Sequence, residues 1–326
     1  DSELLCILQC GLERTEELFN VLRPDVVFSF ICVTMLDYLA YLFARSRGIR
    51  FLNLRPTRVG DRVTFGSILN DPSPDFAASF TRIQAAGQSP FLGEAREYIK
   101  RVREQHGRYE GVVRPSDRPA LAPNKTRLLG GVVRTLRNYV EYRRSMSASD
   151  NHVPDPLRAM LFTALVNPYR AQRARKFLRQ HYISPEALAG TRFVFFPLHT
   201  EPEVSLLVYG RPYVNQIEII RMLAMSLPVD FVLVVKEHPW MVGKRSISAY
   251  RKMLNIPRVR FADPRMEARS LIQSSQMVAV VTGSVALEAA MLGKPVVTFG
   301  DCPYNLLPAT MVRRIDDPRS LANILK

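Results

Sequence analysis

Apolar positions along the chain switch between two spacings, and the switches mark its elements. Leu4, Leu5, Leu8, Leu12 and Leu18 recur near the helical period, so residues 1 to 20 read as a helix. Asp25-Val26-Val27-Phe28-Ser29-Phe30 reads as a short buried strand, introduced by Arg23-Pro24. Thr34 to Ser46 reads as a helix with its stop at Gly48, and Ile49-Arg50-Phe51-Leu52-Asn53-Leu54 as the next strand. Strand, helix, strand in this order is a parallel α/β unit. Asp37 and Arg55 fall near the ends of these elements, on the edge that faces a cleft in open α/β sheets.

Residues 68 to 125 are less regular and rich in proline, with a helical pattern from Phe91 to His106 and a polar stretch from Gln105 to Asn124. Thr126 to Met146 reads as a basic amphipathic helix. Leu129, Val132, Leu136 and Tyr139 share one face, with Arg134, Arg137 and Arg144 elsewhere. Such a helix either packs on its own domain or lies on an anionic membrane surface. Ser147 to Pro156 reads as a linker, and Leu157 to His181 as an Arg-rich helical segment.

From Thr191 the alternation is regular. Strands are expected at Phe193–Phe196, Phe231–Val235, Val259–Phe261, Met277–Val281 and Pro295–Phe299. Helices are expected at Ile217–Met225, Ser246–Leu254, Met266–Gln273 and Ser284–Leu292. Short apolar strands separated by helices indicate a parallel sheet covered on both faces.

Length and composition refine this picture. A chain of 326 residues suggests two domains, here 1–150 and 151–326, and 47% hydrophobic residues supply sizeable cores. No uncharged apolar run is long enough to span a bilayer, and no secretory signal is read. The chain opens on Asp1 and stops in an apparent helix, Pro318 to Lys326, as expected for a piece of a longer protein. Cys6, Cys10, Cys32 and Cys302 form no CxxC pair and no metal spacing with histidine. Cys6 and Cys10 are expected as packed thiols in a reducing cytoplasm. The formal charge is +15, and Thr126 to Gln180 holds eleven Lys or Arg against three Asp or Glu. That favours an acidic partner. No ribonucleoprotein signature or zinc finger is present, so no nucleic-acid partner is expected.

The candidate chemistry lies in loops after the expected strands. Thr282-Gly283-Ser284 closes one strand and opens a helix. Gly283 lets backbone approach a ligand, Ser284 is a good N-cap, and free amides behind it suit a phosphate. Glu288, four residues on, shares the Ser284 face, where a carboxylate accepts from a ribose diol or simply complements the helix dipole. Lys236-Glu237-His238-Pro239 follows another strand. Pro239 fixes the loop, while Lys236 and His238 offer phosphate donors. Pro197-Leu198-His199-Thr200-Glu201-Pro202-Glu203 follows a third. His199 and Glu201 are the candidate catalytic acid, base or donor, and no metal site is expected. Tyr304, after the last strand, either walls the pocket or packs at a domain seam. With no GxSxG, Walker lysine loop or GxGxxG, the hydrolase-elbow, P-loop and dinucleotide readings lose support.

Phe196 to Glu203, Lys236 to Pro239, and Gly283-Ser284-Val285-Ala286-Leu287-Glu288-Ala289 with Gly293-Lys294-Pro295-Val296 together resemble the capsular polysaccharide biosynthesis proteins, which include β-Kdo transferases. The resemblance covers roughly residues 155 to 310. Residues 1 to 150 match only loosely, as an acceptor-side half carrying the basic helical insertion. The resemblance implies a GT-B-like α/β fold, two Rossmann-like domains with parallel sheets facing a cleft. It implies a glycosyltransferase using a nucleotide-sugar donor, plausibly a CMP-sugar, with a glycan or glycolipid acceptor, no cofactor and no metal. By position, Lys236, His238, Pro239, Gly283, Ser284 and Glu288 would hold the donor: His238 its phosphate or cytidine, Ser284 the phosphate and Glu288 the ribose. A cytoplasmic enzyme, peripheral on the inner membrane, is the corresponding location. Two rival readings are a UDP-GlcNAc 2-epimerase-like enzyme and a non-catalytic capsule assembly or export factor.

Overall fold

The computed structural model describes residues 2–104, apart from Val33, Arg58, Asp61, Asn70 and Asp71, and then 125–144 and 155–325. The expected polar stretch 105–124 and most of the linker therefore lie outside the described residues.

The N-terminal elements are α1 (Ser2–Leu22), β1 (Val26–Phe30), α2 (Met35–Ser46), β2 (Arg50–Pro56), β3 (Val63–Gly66), α3 (Pro74–Ala86), α4 (Leu92–Glu104) and α5 (Lys125–Arg144). β1 and β2 pair in parallel, as the strand–helix–strand pattern requires. β3 then returns antiparallel to β2 through a tight connection closed by the Thr57 N–H on Arg62 O at 3.0 Å. The expected second parallel sheet is thus a three-stranded mixed sheet in the described residues.

Two further expectations change in this half. The leucines of α1 do not face inward, because Leu4, Leu5, Leu8, Leu12 and Leu18 are all exposed. The packing stripe is Gly11, Thr15 and Phe19, spaced one turn apart. Gly11 lets α2 come so close that a Cβ there would lie 2.8 Å from Met35 Cε. Cys6 and Cys10 lie off that stripe and are exposed rather than packed. The stretch expected to be irregular contains α3, started by Ser73, whose hydroxyl caps the Phe76 N–H, and stopped by left-handed Gly87.

The second half follows the expected alternation. α6 (Pro156–Leu161), a π-turn at Phe162–Val166 and α7 (Asn167–Arg179) run on as one Arg-rich helix. Pro168 explains the π-turn: it has no N–H to give the preceding turn, and the wider register accommodates its ring. After α8 (Pro185–Ala189) come β4 (Arg192–Pro197), α9 (Val204–Leu207), α10 (Gln216–Ser226), β5 (Phe231–Lys236), α11 (Ile247–Leu254) and β6 (Val259–Ala262). They are followed by α12 (Ala268–Ser274), β7 (Met277–Val280), α13 (Val285–Met291), β8 (Val296–Thr298), β9 (Val312–Arg314) and α14 (Leu321–Ile324). All six strands are parallel, in the order β6-β5-β4-β7-β8-β9.

Alternate side chains of each strand enter opposite cores. Val194, Phe196, Leu233 and Val235 pack with α7, α10 and α11. Phe193, Phe195, Val234 and Val280 pack with α12 and α13. Burial on both faces is why these strands read as continuous apolar runs. The order of strands reverses direction between β4 and β7. In open α/β sheets ligands bind at the carboxyl ends of the strands at such a switch point.

Candidate functional site

At that switch point stands His199. It follows β4 and is 9% exposed. Its backbone is pinned by Gln216 of α10: the His199 N–H donates to Gln216 Oε1 at 2.8 Å, and Gln216 Nε2 donates to His199 O at 3.3 Å. The ring lies against the turn after β7, where the Thr282 N–H donates to Nε2 at 3.4 Å. With Nε2 accepting, the neutral ring carries its proton on Nδ1, which lies 3.7 Å from Glu203 Oε2. A Cβ on Gly283 would come within 3.2 Å of His199 Cε1, so glycine there is set by the imidazole beside it. Burial works to raise the Glu203 pKa, but the nearby His199 ring and hydrogen bonds from the Thr200 and Ser205 hydroxyls outweigh it and hold the carboxyl at about 2.

A second cluster ties the β4 and β5 loops together. Glu237 is fully buried and accepts from Arg245 Nε at 2.8 Å, from Tyr250 OH at 2.9 Å and from the His238 N–H at 2.8 Å. Arg245 continues to Glu201 Oε2 at 2.9 Å and to His199 O at 3.1 Å. The other Glu201 oxygen accepts from Gln216 Nε2. Glu201 is therefore engaged at both oxygens. Burial weakens the charged form of Arg245, yet Glu237 and Glu201 more than restore it and its pKa is raised. Sequence reasoning missed Arg245, Gln216 and Tyr250. None belongs to a motif, and only the fold brings them to Glu237.

Lys236 and His238 sit beside this cluster. Lys236 is 8% exposed, and its ammonium has no hydrogen-bond or ion-pair partner among the described residues. Burial lowers its pKa, while Glu237 and Asp263 pull the other way. His238 caps the short turn Pro239–Met241: its Nδ1 accepts the Trp240 N–H at 3.3 Å. Nε2 then carries the ring proton as a donor. Burial lowers the His238 pKa, Lys236 lowers it further and Glu203 opposes them. Pro239 opens the turn and is exposed.

The remaining predicted residues behave differently. Ser284 is half-buried at the start of α13, but its hydroxyl makes no capping bond, so the expected N-cap role is corrected: Ser284 already has helical backbone angles (φ −60°, ψ −18°). Glu288 pairs with a cation of the neighbouring helix. It is mostly buried with Arg269 of α12, 4.0 Å from Nη1, and its pKa is raised by burial despite that guanidinium. Arg269 Nη2 donates to Arg103 O at 2.9 Å, whereas Nη1 is buried without a hydrogen-bond partner. Tyr304 packs against the core that α12 and α13 cover. Asp37 serves as the capping-box acceptor of α2, taking the Thr34 N–H at 2.8 Å. Arg55 is buried, donates to Asn53 Oδ1 at 2.7 Å and reaches across to the Tyr209 ring, 5.8 Å from its centroid. A cavity of about 560 Å³ lies between α4 and α13, but none of the predicted site residues lines it. Among the described residues no group of His, Cys, Asp or Glu is placed to hold a metal.

A six-stranded parallel sheet with polar loops converging at its switch point defines the class: a doubly wound α/β protein. Within that class the chain belongs to the capsule polysaccharide biosynthesis protein family, whose pattern it matches over residues 142–319. It is 33% identical over 118 residues to Protein FixF of Sinorhizobium fredii, a match covering 35% of this chain and 28% of FixF. Among solved structures it is similar to Thermosulfurimonas dismutans KpsC, beta Kdo 2,7 transferase, at 20% identity and TM-score 0.33, over 53% of this chain and 57% of that one. The KpsC beta Kdo 2,4 transferase aligns at 12% identity and TM-score 0.38, over 92% of this chain and 77% of that one. The chain thus spans just over a quarter of FixF and less than two thirds of the first KpsC structure.

Proposed function

We propose that this chain is a nucleotide-sugar-dependent glycosyltransferase of capsule or surface-glycan assembly, with a CMP-sugar, Kdo or a related acidic sugar, as donor. The observation that carries the reading is the convergence of His199, Lys236, His238 and Gly283 at the carboxyl ends of three adjacent strands, β5, β4 and β7. In the transfer the bond between the anomeric carbon and the donor phosphate breaks, and its electron pair leaves with the phosphate oxygen. The acceptor oxygen forms the new bond and loses its proton. Charge therefore develops on the departing phosphate. An ammonium and an imidazole N–H suit that charge, in surroundings where burial strengthens each contact.

Glu203, held at about 2, is too weak a base for the acceptor proton. His199 is the base in this reading, its Nε2 taking the acceptor proton in place of the long 3.4 Å Thr282 N–H contact, and Glu201 is a positioning residue that works through Arg245. Arg269 and Glu288 supply a donor and an acceptor for the ribose in this reading, and Arg269 Nη1, paired with Glu288 at 4.0 Å but without a hydrogen bond, supports that role, because a buried donor is costly until something accepts from it. In the domain reading 151–326 holds the donor and 1–150 approaches the acceptor.

The test is release of CMP from CMP-sugars in the presence of a capsule-type glycan or glycolipid acceptor. Transfer by the wild type, lost in His238→Ala and Glu288→Ala with the fold intact, is the expected result. Full activity in both variants overturns the site. Turnover of UDP-GlcNAc with no acceptor would favour the epimerase reading instead.

A further inference from the structure

α6, the π-turn and α7 carry side chains that the sugar-transfer reading does not use. Leu161, Phe162, Leu165, Val166 and Tyr169 are between 40% and 64% exposed. They recur at helical spacing, Leu161-Leu165-Tyr169 beside Phe162-Val166, so they form one stripe about two turns long. The opposite side of the same helix, at Ala159, Met160, Thr163 and Ala164, borders Asn138 of α5. The stripe therefore faces away from the helix beside it.

The stripe is bounded by charge. Arg158 precedes it by one turn, Arg170 follows Tyr169 directly and Arg173 lies one turn beyond Tyr169, all exposed. Between Pro156 and Arg179 the chain has six Lys or Arg and no Asp or Glu. α5 alongside adds six more cations and a single acid, Glu141, itself paired with Arg137 at 3.0 Å. Val133, Leu136 and Val140 of α5 are also exposed. The unit is also firmly mounted. Ala174 and Leu178 of α7 are buried in the core of the six-stranded sheet. Gly243 (φ +96°) lies so close under α7 that a Cβ there would be 2.4 Å from Ala171 Cα.

We propose that this face docks on an anionic phospholipid surface, with the stripe entering the acyl boundary and the flanking arginines meeting headgroup phosphates. Aliphatic and aromatic side chains rimmed by cations fit that boundary. No described helix is long and apolar enough to cross a membrane, so the contact is interfacial. A second copy is a poor occupant: isologous pairing would set the cationic rim against itself. The proposal does not rest on the sugar-transfer reading.

Co-sedimentation of the chain with vesicles of phosphatidylglycerol and phosphatidylcholine in equal parts tests it. The chain is expected to bind these vesicles and not pure phosphatidylcholine. Phe162→Asp with Leu165→Asp is expected to weaken binding by roughly tenfold or more, through loss of buried apolar area. Arg170→Glu with Arg173→Glu is expected to weaken it too and to flatten its dependence on salt. These side chains are exposed, so the melting temperature should hold in both variants. Unchanged vesicle binding in the apolar variant would reduce the contact to nonspecific charge adhesion and overturn the proposal. Failure to bind would do the same, as would a dimer by light scattering that the apolar variant abolishes.

Discussion

At the scale of single residues, burial tunes the charge states of Lys236 and His238. His238 illustrates this. Its folded pKa lies below its ordinary 6.5 because burial and Lys236 disfavour the imidazolium. The unfolded chain therefore binds more protons than the folded one just below that value. Stability contributed by the neutral ring is complete above about pH 6.5 and is lost as pH falls through the folded pKa. Denaturant melts across this window should show stability rising with pH in the wild type and a flatter profile in His238→Gln; identical profiles would remove the burial argument. The residue types at the β4, β5 and β7 loop ends were legible in the sequence, because each follows an apolar run closed by proline or glycine. Their partners were not. Nothing in the sequence pairs Glu237 with Arg245 and Tyr250, or sets Arg269 beside Glu288, since those contacts join different elements.

At the scale of elements, the strands and helices of the second half were readable because both faces of a parallel sheet are buried, which makes each strand a short apolar run. The first half was less readable for equally physical reasons. α1 packs by its smallest residue, Gly11, so the leucine stripe that dominates its periodicity is not its packing face. α3 announces itself only by Ser73-Pro74 at its start and Gly87 at its end, signals that the surrounding prolines obscured. Between elements, Arg245 holds the β4 and β5 loops together through Glu201, the His199 carbonyl and Glu237. Removing it leaves a fully buried carboxylate without its cation. Arg245→Ala should therefore cost about 3–5 kcal/mol of unfolding free energy, with Arg245→Lys losing less. Chemical denaturation measures this directly, and a loss below about 1 kcal/mol, the worth of an exposed pair, would show that the cluster is not a structural unit.

At the scale of the whole molecule, specific contacts join the two halves among the described residues. The Arg103 side chain at the end of α4 donates to Met291 O at 2.7 Å, and its carbonyl accepts from Arg269. Arg55 meets Tyr209, and Arg211 meets Tyr38. Of the two expected Rossmann-like halves, the described residues show one six-stranded parallel sheet and a smaller mixed sheet. The antiparallel return of β3 is a hairpin too local to show in periodicity. The switch point, by contrast, follows from strand order alone, so the central proposal concerns the six-stranded sheet: that its switch point binds a nucleotide. Thermal denaturation with CMP, CDP, UMP and UDP tests that most directly. A ligand at a hundredfold excess over its dissociation constant adds about 2.7 kcal/mol to the folded state. The account predicts a raised melting temperature with a cytidine nucleotide, and loss of that shift in the Lys236→Met/His238→Ala double variant. No shift with any of the four, or an equal shift in the double variant, would contradict it.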